Sequence, residues 1–176
     1  MKLLIKDSKI GGKGVFAGED IFRGGVIFIL NGEMVSFDEC RRKVLQGEVR
    51  VDDPLQIGEK AFLILDELSY LFNHCCVPNA GLRKRSELFA LRNISKGEEI
   101  TYDYSTTVAP NIDATMWTMR CKCQAKNCRK EIRNILLIPS NVLEKYIKEN
   151  AVQDYMKILL KKYSTKKYLD SSLCVI

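Results

Sequence analysis

Three cysteines fall within eight residues in Cys121-Lys122-Cys123-Gln124-Ala125-Lys126-Asn127-Cys128. Thiols this close, in a lysine-rich turn that favours thiolates, suit a tetrahedral metal such as zinc. A closed structural site takes four ligands, so one more must come from far away in sequence. Cys40, Cys75, Cys76, Cys174 and His74 are the candidates, and a chance cluster of free thiols is the competing reading. Seven cysteines cannot all pair within one chain, and the N-terminal run Met1-Lys2-Leu3-Leu4-Ile5-Lys6-Asp7 meets charge too soon for an export signal. A reducing compartment is therefore expected, with metal ligation and free thiols as the uses of cysteine.

The only histidine lies in Asn73-His74-Cys75-Cys76-Val77-Pro78-Asn79. A cysteine-protease dyad is disfavoured because adjacent residues seldom face each other, and a Ser-His-Asp hydrolase has no other histidine to use. Gly12-Lys13-Gly14-Val15-Phe16-Ala17 formally matches a dinucleotide fingerprint. That fingerprint needs a helix after it, and Gly18, Gly24 and Gly25 oppose one, so what survives is a loop whose backbone can approach a ligand. Gly97-Glu98-Glu99-Ile100-Thr101-Tyr102-Asp103-Tyr104 reads as a turn followed by a strand, with both tyrosine rings on one face. Core packing of the two rings is the plain alternative.

The elements that must position these residues are mainly β. Val15 to Ala17, Val26 to Leu30, Ala61 to Leu65 and Leu88 to Leu91 are short apolar runs bounded by Gly, Asn, Asp and Lys, which predicts strands of several small sheets. Ser36 to Leu45 carries an N-cap candidate and good helix formers, so a short helix is predicted there. Residues 105 to 120 read as a connecting loop. Beyond Pro139 apolar residues recur at helical spacing from Val142 to Tyr163, predicting two helices that pack on the domain or on a partner subunit. From about Ser164 the polar end is expected to fray.

Apolar residues at 46% and charged residues at 28% exclude a wholly disordered chain, and no apolar run approaches the roughly 20 residues of a membrane span. The cysteine third from last does not make a prenylation box. Residues 120 to 134 hold six Lys or Arg against the single acid Glu131. That stretch could meet nucleic acid or an acidic surface, or be a solvated loop beside a metal.

Taken in order, these segments resemble the SET-domain family of protein-lysine methyltransferases with its cysteine-rich post-SET extension. The resemblance covers about residues 3 to 135 and is carried by Gly12-Lys13-Gly14, the Leu30-Asn31-Gly32-Glu33 turn, Tyr70 to Asn79, Gly97 to Tyr104 and the Cys121 cluster. The heptad from Asn73 to Asn79 matches the family's pattern except for Cys75 in place of serine, and the wording is nearest to compact single-domain members of bacterial type. The resemblance implies an α+β fold, mainly β, of several small sheets with a knot-like threading. It divides the chain into a SET domain at 1–110, a post-SET zinc segment at 111–135 and a C-terminal helical extension at 136–176.

It further implies S-adenosylmethionine as methyl donor, held by Gly12, Lys13, Gly14, Tyr70, Asn73 and His74 with Ile132 over the adenine. One structural zinc would sit on Cys76, Cys121, Cys123 and Cys128, leaving Cys40, Cys75 and Cys174 as free thiols. Tyr104 would orient the amine and methyl group, and Tyr102 would set the number of methyl groups, with monomethylation expected and dimethylation next. Leu30 stands where many members have another channel tyrosine, Lys13 replaces a tryptophan, Tyr70 an arginine and Lys130 a glycine. A substrate protein with a target lysine, a histone among the candidates, is the expected partner, with no membrane. Nucleic acid contact is not required, and the C-terminal helices could dimerise. The expected location is intracellular: cytoplasmic for a bacterial chain, nuclear or host-directed otherwise. The competing functional readings are an inactive zinc-stabilised binding module of the same fold and a nucleic-acid-binding zinc protein.

Overall fold

The computed structural model describes residues 1–51, 53–112 and 117–172. β1 (Leu3–Asp7) and β2 (Lys13–Ala17) pair antiparallel with Leu3 opposite Ala17. Their connection is tied by Ser8 N donating to Gly12 O, and Gly12 takes φ 54°, a left-handed value that glycine adopts at no steric cost. β3 (Val26–Ile29) and β4 (Gly32–Ser36) lead into α1 (Phe37–Leu45). The predicted cap is present: the Ser36 side chain accepts from Glu39 N, Asp38 and Glu39 occupy the first turn, and Arg42 and Lys43 the last. Each end thus carries the charge that its unpaired backbone groups favour.

β5 (Pro54–Gly58), β6 (Ala61–Leu65), α2 (Glu67–Tyr70), β7 (Ala80–Arg83) and β8 (Glu87–Ala90) complete two three-stranded sheets, ordered β4-β6-β5 and β3-β8-β7. All their pairings are antiparallel. The inner faces meet in one core that includes Val15, Leu30, Phe72, Leu82, Leu88 and Ile100, each 1% exposed or less. Burying an aromatic or aliphatic side chain of this kind contributes about 1.5–3 kcal/mol.

β9 (Met119–Arg120) and β10 (Glu131–Ile132) pair to close the loop that bears the three clustered cysteines. α3 (Ser140–Lys148) and α4 (Asp154–Ser172) follow. Tyr146, Val152, Met156 and Leu159 form a second core with Phe89 and Ala109, so the domain covers this side of the two helices, while Ile147 and Ile158 stay exposed. α4 continues to Ser172, past the expected fraying point. Among the described residues no helix is long and apolar enough to cross a membrane.

The four predicted strands, the capped helix and the two C-terminal helices are all present, whereas β1, β4, β5, β7 and α2 had no distinct signal. The expected strand through Tyr102 and Tyr104 is a correction. That segment makes two isolated bridges, Phe16 with Glu99 and His74 with Tyr102, and then turns at Tyr104–Thr107 into a short 3-10 helix. It runs between two other pieces of chain and bonds to each in turn: Ile100 N donates to Val15 O, Tyr102 N to Asn73 O, and Thr101 O accepts from Ala80 N.

Candidate active site and metal centre

Cys76 follows the His74 bridge, and the loop between β9 and β10 brings Cys121, Cys123 and Cys128 to it, so that the four sulfurs lie within 4.8 Å of one another. Four thiolates at about 2.3 Å from one ion stand about 3.8 Å apart at a tetrahedron's edge, and Cys76 Sγ lies 3.7 Å from Cys121 Sγ. Backbone N–H groups point at the sulfurs: Arg129 N at Cys76 (3.4 Å), Cys123 N at Cys121 (3.5 Å) and Lys130 N at Cys128 (3.4 Å). Burial pushes the Cys76 thiol up to about 11 and raises Cys121 as well, whereas at Cys123 burial is outweighed by hydrogen bonds to its sulfur, which bring that thiol down to about 7; holding all four as thiolates calls for a cation beside Cys76 and Cys121. Donor set, spacing and second-layer N–H groups all fit zinc.

The loop reaches this shape through left-handed backbone at Gln124 (φ 56°) and Lys130 (φ 67°). The resemblance had put a glycine at the second of these. Cys40 is buried with Val35 and Phe62, and Cys75 sits beside the Val77 backbone. Cys174 lies outside the described residues.

His74 is buried and links the sulfurs to the tyrosines. Tyr104 N donates to His74 Nδ1 at 3.1 Å, which fixes the proton on Nε2, and Nε2 lies 3.3 Å from Cys76 Sγ. Burial pulls the imidazole pKa down to about 4, with Asp103 opposing and Arg129 adding to the shift, so the ring is neutral. Asp103, 2% exposed, takes both arms of Arg129 at 2.7 and 2.6 Å, Ser105 N at 3.0 Å and the Tyr146 hydroxyl at 3.2 Å. A bidentate pair with further donors is the arrangement that makes a buried charge tolerable. Asp103, Arg129 and Tyr146 carry no sequence signal of their own. A charged residue between two inward-facing aromatics was the nearest hint.

On the other side of the same segment, Tyr102 and Tyr104 face a cavity of about 350 Å³. Tyr70, Leu55, Gln56 and Trp117 line it with them, and α1 forms its outer wall. The two rings are 4.8 Å apart, and the Tyr104 hydroxyl donates to Phe72 O at 2.7 Å. Burial pushes the Tyr102 phenol well above its usual range, so it stays protonated. Leu30 is wholly buried in the main core.

A third cluster gathers the glycine loop. Asn73 Nδ2 donates to Lys13 O at 3.0 Å and to Glu99 Oε1 at 2.8 Å. A Cβ on Gly14 would collide with Glu99 Oε1 and stand 2.9 Å from Asn73 Nδ2, so any larger residue there would have to displace the ends of these two side chains. The His74 bridge uses the carbonyl of Asn73 and the N–H of Cys75. In extended chain the intervening residue points its N–H and C=O to the opposite side, and those of His74 have no partner among the described residues.

Sequence reasoning placed Tyr70 with this loop, and the structure lines the tyrosine cavity with it. Ile132 packs among Cys76, Cys121, Tyr104 and Trp117, 2% exposed. Lys13 Nζ pairs with Asp7 at 2.6 Å. Of the basic stretch 120–134, Arg129 pairs with Asp103 and Arg133 with Glu131.

A family model described as SET domain matches residues 12–105. The chain is 32% identical over 143 residues to a variant-silencing SET domain-containing protein of Plasmodium falciparum, covering 72% of this chain and 5% of that protein. It is 31% identical over 157 residues to a Candida glabrata histone-lysine N-methyltransferase described as H3 lysine-36 specific, covering 78% and 21%. Trithorax of Drosophila melanogaster, another histone-lysine N-methyltransferase, is 31% identical over 140 residues, covering 70% and 4%. The chain thus spans less than a quarter of the length of these relatives. Among solved structures, a humanized Chaetomium thermophilum Polycomb Repressive Complex 2 bound to an inhibitor superposes with a TM-score of 0.53 at 25% identity, over 62% of this chain and 15% of that one.

Proposed function

We propose that this chain, which belongs to the SET-domain family, methylates a lysine side chain of a protein substrate with S-adenosylmethionine as donor. The observation that carries this reading is the three-way junction at residues 102–104. One short segment has its tyrosines in an apolar cavity, its backbone on the Asn73-His74 segment that also meets the glycine loop, and its neighbouring imidazole on a four-sulfur cluster. S-adenosylmethionine, when bound, supplies a methyl group activated as a sulfonium. The glycine loop, Asn73 and the open backbone of His74 are the groups that would hold it, with Ile132 and Tyr70 at the margins.

The cavity is the channel for the incoming lysine. An amine of pKa about 10.4 is largely protonated at neutral pH. Tyr102, Tyr104, Leu55 and Trp117 desolvate it, which lowers that pKa and makes a strong general base unnecessary. Tyr104, anchored on the Phe72 carbonyl, fixes the line of approach, and positioning of that kind supplies much of the rate. Tyr102 narrows the end of the channel, and monomethylation is the expected product.

Zinc on Cys76, Cys121, Cys123 and Cys128 holds the post-SET loop against the site. The division into 1–110, 111–135 and 136–176 follows from these roles. The relatives named as histone methyltransferases make a histone the first substrate to test and chromatin the first place to look. Leu30, the departure that favoured an inactive binding module, belongs to the core packing, which supports the active reading.

Incubation of the purified chain with isotopically labelled S-adenosylmethionine and core histones, read by mass spectrometry, should show one labelled methyl on lysine. Tyr104→Phe should keep the fold and lower turnover by about 100-fold, the cost of a misplaced reacting group. Unchanged turnover in that variant would sink the assignment of Tyr104, and absence of any lysine label on histones or on whole-cell protein would sink the activity.

A further inference from the structure

A second cavity, about 490 Å³ in volume, is bounded by Cys76 and the two residues after it, by the loop between β9 and β10 and by α3. It is larger than the tyrosine cavity and shares no lining residue with it, and the glycine loop, Asn73 and His74 do not line it. Its volume lies in the range of small-molecule sites, yet the reaction derived above has no use for it.

Three cations line this space: Arg92 just after β8, Arg129 on the loop between β9 and β10, and Lys145 on α3. Arg92 Nη1 donates to Glu98 at 3.0 Å and Arg129 grips Asp103, but neither acid is among the lining residues, so each pair presents the cavity with its positive member. A guanidinium has five N–H donors. Arg129 spends two on Asp103 and one on Ser105, which leaves Nε and one hydrogen of Nη1 without a partner among the described residues. The single acid of the lining, Glu149, is offset by Arg23 at 3.3 Å. Leu91 and Val142 contribute apolar wall beside the amide of Asn127.

We propose that this cavity is a second ligand site, one that takes a phosphate ester with a small apolar body. The phosphate meets Lys145, Arg92 and the uncommitted N–H groups of Arg129, while the apolar body lies against Leu91 and Val142. Guanidinium forks bind oxyanions through paired hydrogen bonds and lysine adds a point charge, so three such groups suit a doubly charged oxyanion better than a carboxylate. A neutral ligand would desolvate the same donors and give them no acceptor. Arg129 serves both this cavity and the buried Asp103, so the ligand rests on the side chain that steadies the tyrosine junction.

Calorimetric titration of the purified chain with phenyl phosphate, benzoate and benzyl alcohol tests this. Phenyl phosphate should bind at one site with a dissociation constant of about 1 mM or tighter, benzyl alcohol about tenfold or more weakly, and benzoate between them. Lys145→Gln, at an exposed helical position, should weaken phenyl phosphate by about tenfold, the scale of one lost hydrogen bond to a charged group. Lys148→Gln, on α3 but outside the cavity, should leave it within about twofold. Arg92→Gln should cost about as much as Lys145→Gln and gives an independent reading from another element. The site is overturned by an absence of saturable phenyl phosphate binding, by benzyl alcohol binding as tightly, or by Lys145→Gln and Lys148→Gln having equal effects. The measurement needs neither methyl donor nor substrate, so its outcome is separate from that of the methyl-transfer reading.

Discussion

On one side of residues 102–104, His74, Asp103, Arg129 and the four thiols are joined by charge, sulfur and backbone N–H groups at fixed distances. On the other side, tyrosines and aliphatic side chains line a cavity of about 350 Å³ with few polar partners. The first region holds its shape through directional bonds that fail as a set. The second is shaped by packing, and its outer wall on α1, where Leu45 is 75% exposed, can change residue by residue. The difference teaches a division of labour: the polar side fixes where Tyr104 stands, and on the proposed reading the apolar side decides what reaches it.

The comparison can be broken most severely at the thiols. Cys121→Ser, or a strong chelator, should release about one zinc per chain and melt the post-SET loop. Structural zinc in small sites is worth on the order of 10 kcal/mol. Metal content by elemental mass spectrometry and a thermal melt read both effects. A chain that never carries stoichiometric zinc when purified without chelator would sink the metal assignment.

Next in size is Arg129→Met, which leaves Asp103 buried without its cation. A loss of about 3–5 kcal/mol in urea unfolding is expected, with the tyrosine side loosened as a consequence. A loss under about 1 kcal/mol would mean that Tyr146 and Ser105 suffice to hold the carboxylate.

The smallest effect sharpens the picture. Lys130 occupies left-handed backbone at φ 67°, a conformation that costs a side-chain-bearing residue about 1–2 kcal/mol. Lys130→Gly should therefore raise the urea unfolding free energy of the zinc-loaded chain modestly, by about 0.5 kcal/mol after glycine's greater loss of chain freedom, and with it the midpoint. A lower midpoint would show that the lysine side chain contributes more than its backbone costs.

Much of this was legible in the sequence where the signal is local. Ser36 before a run of helix formers gave the cap of α1, 3.6-residue spacing gave α3 and α4, and the spacing of Cys121, Cys123 and Cys128 pointed to a ligand cluster before its fourth member was known. Choosing Cys76 among five candidates needed the family resemblance, because nothing within the heptad says which thiol faces the loop. Asp103, Arg129, Tyr146 and Glu99 were invisible for a related reason: each finds a partner 26 or more residues away, and a lone charge in sequence reads as solvated surface. The strand expected at Tyr102 failed because period-two alternation assumes one continuous neighbour, whereas here the partner changes from Val15 to Asn73 within two residues.

The threading of residues 98–104 between β2 and the Asn73 segment has a consequence for biosynthesis. A ribosome delivers the chain from the N-terminus, so β2, Asn73 and Cys76 emerge with their eventual neighbours still unmade. The nascent polypeptide must keep a slot open for Tyr102 and then wait for Cys128 and Tyr146 before the junction locks. Such delayed long-range closure makes folding slow and exposes apolar surface meanwhile. A release of the polypeptide before residue 128 would yield a product that has every glycine and tyrosine of the site and no means of fastening them together.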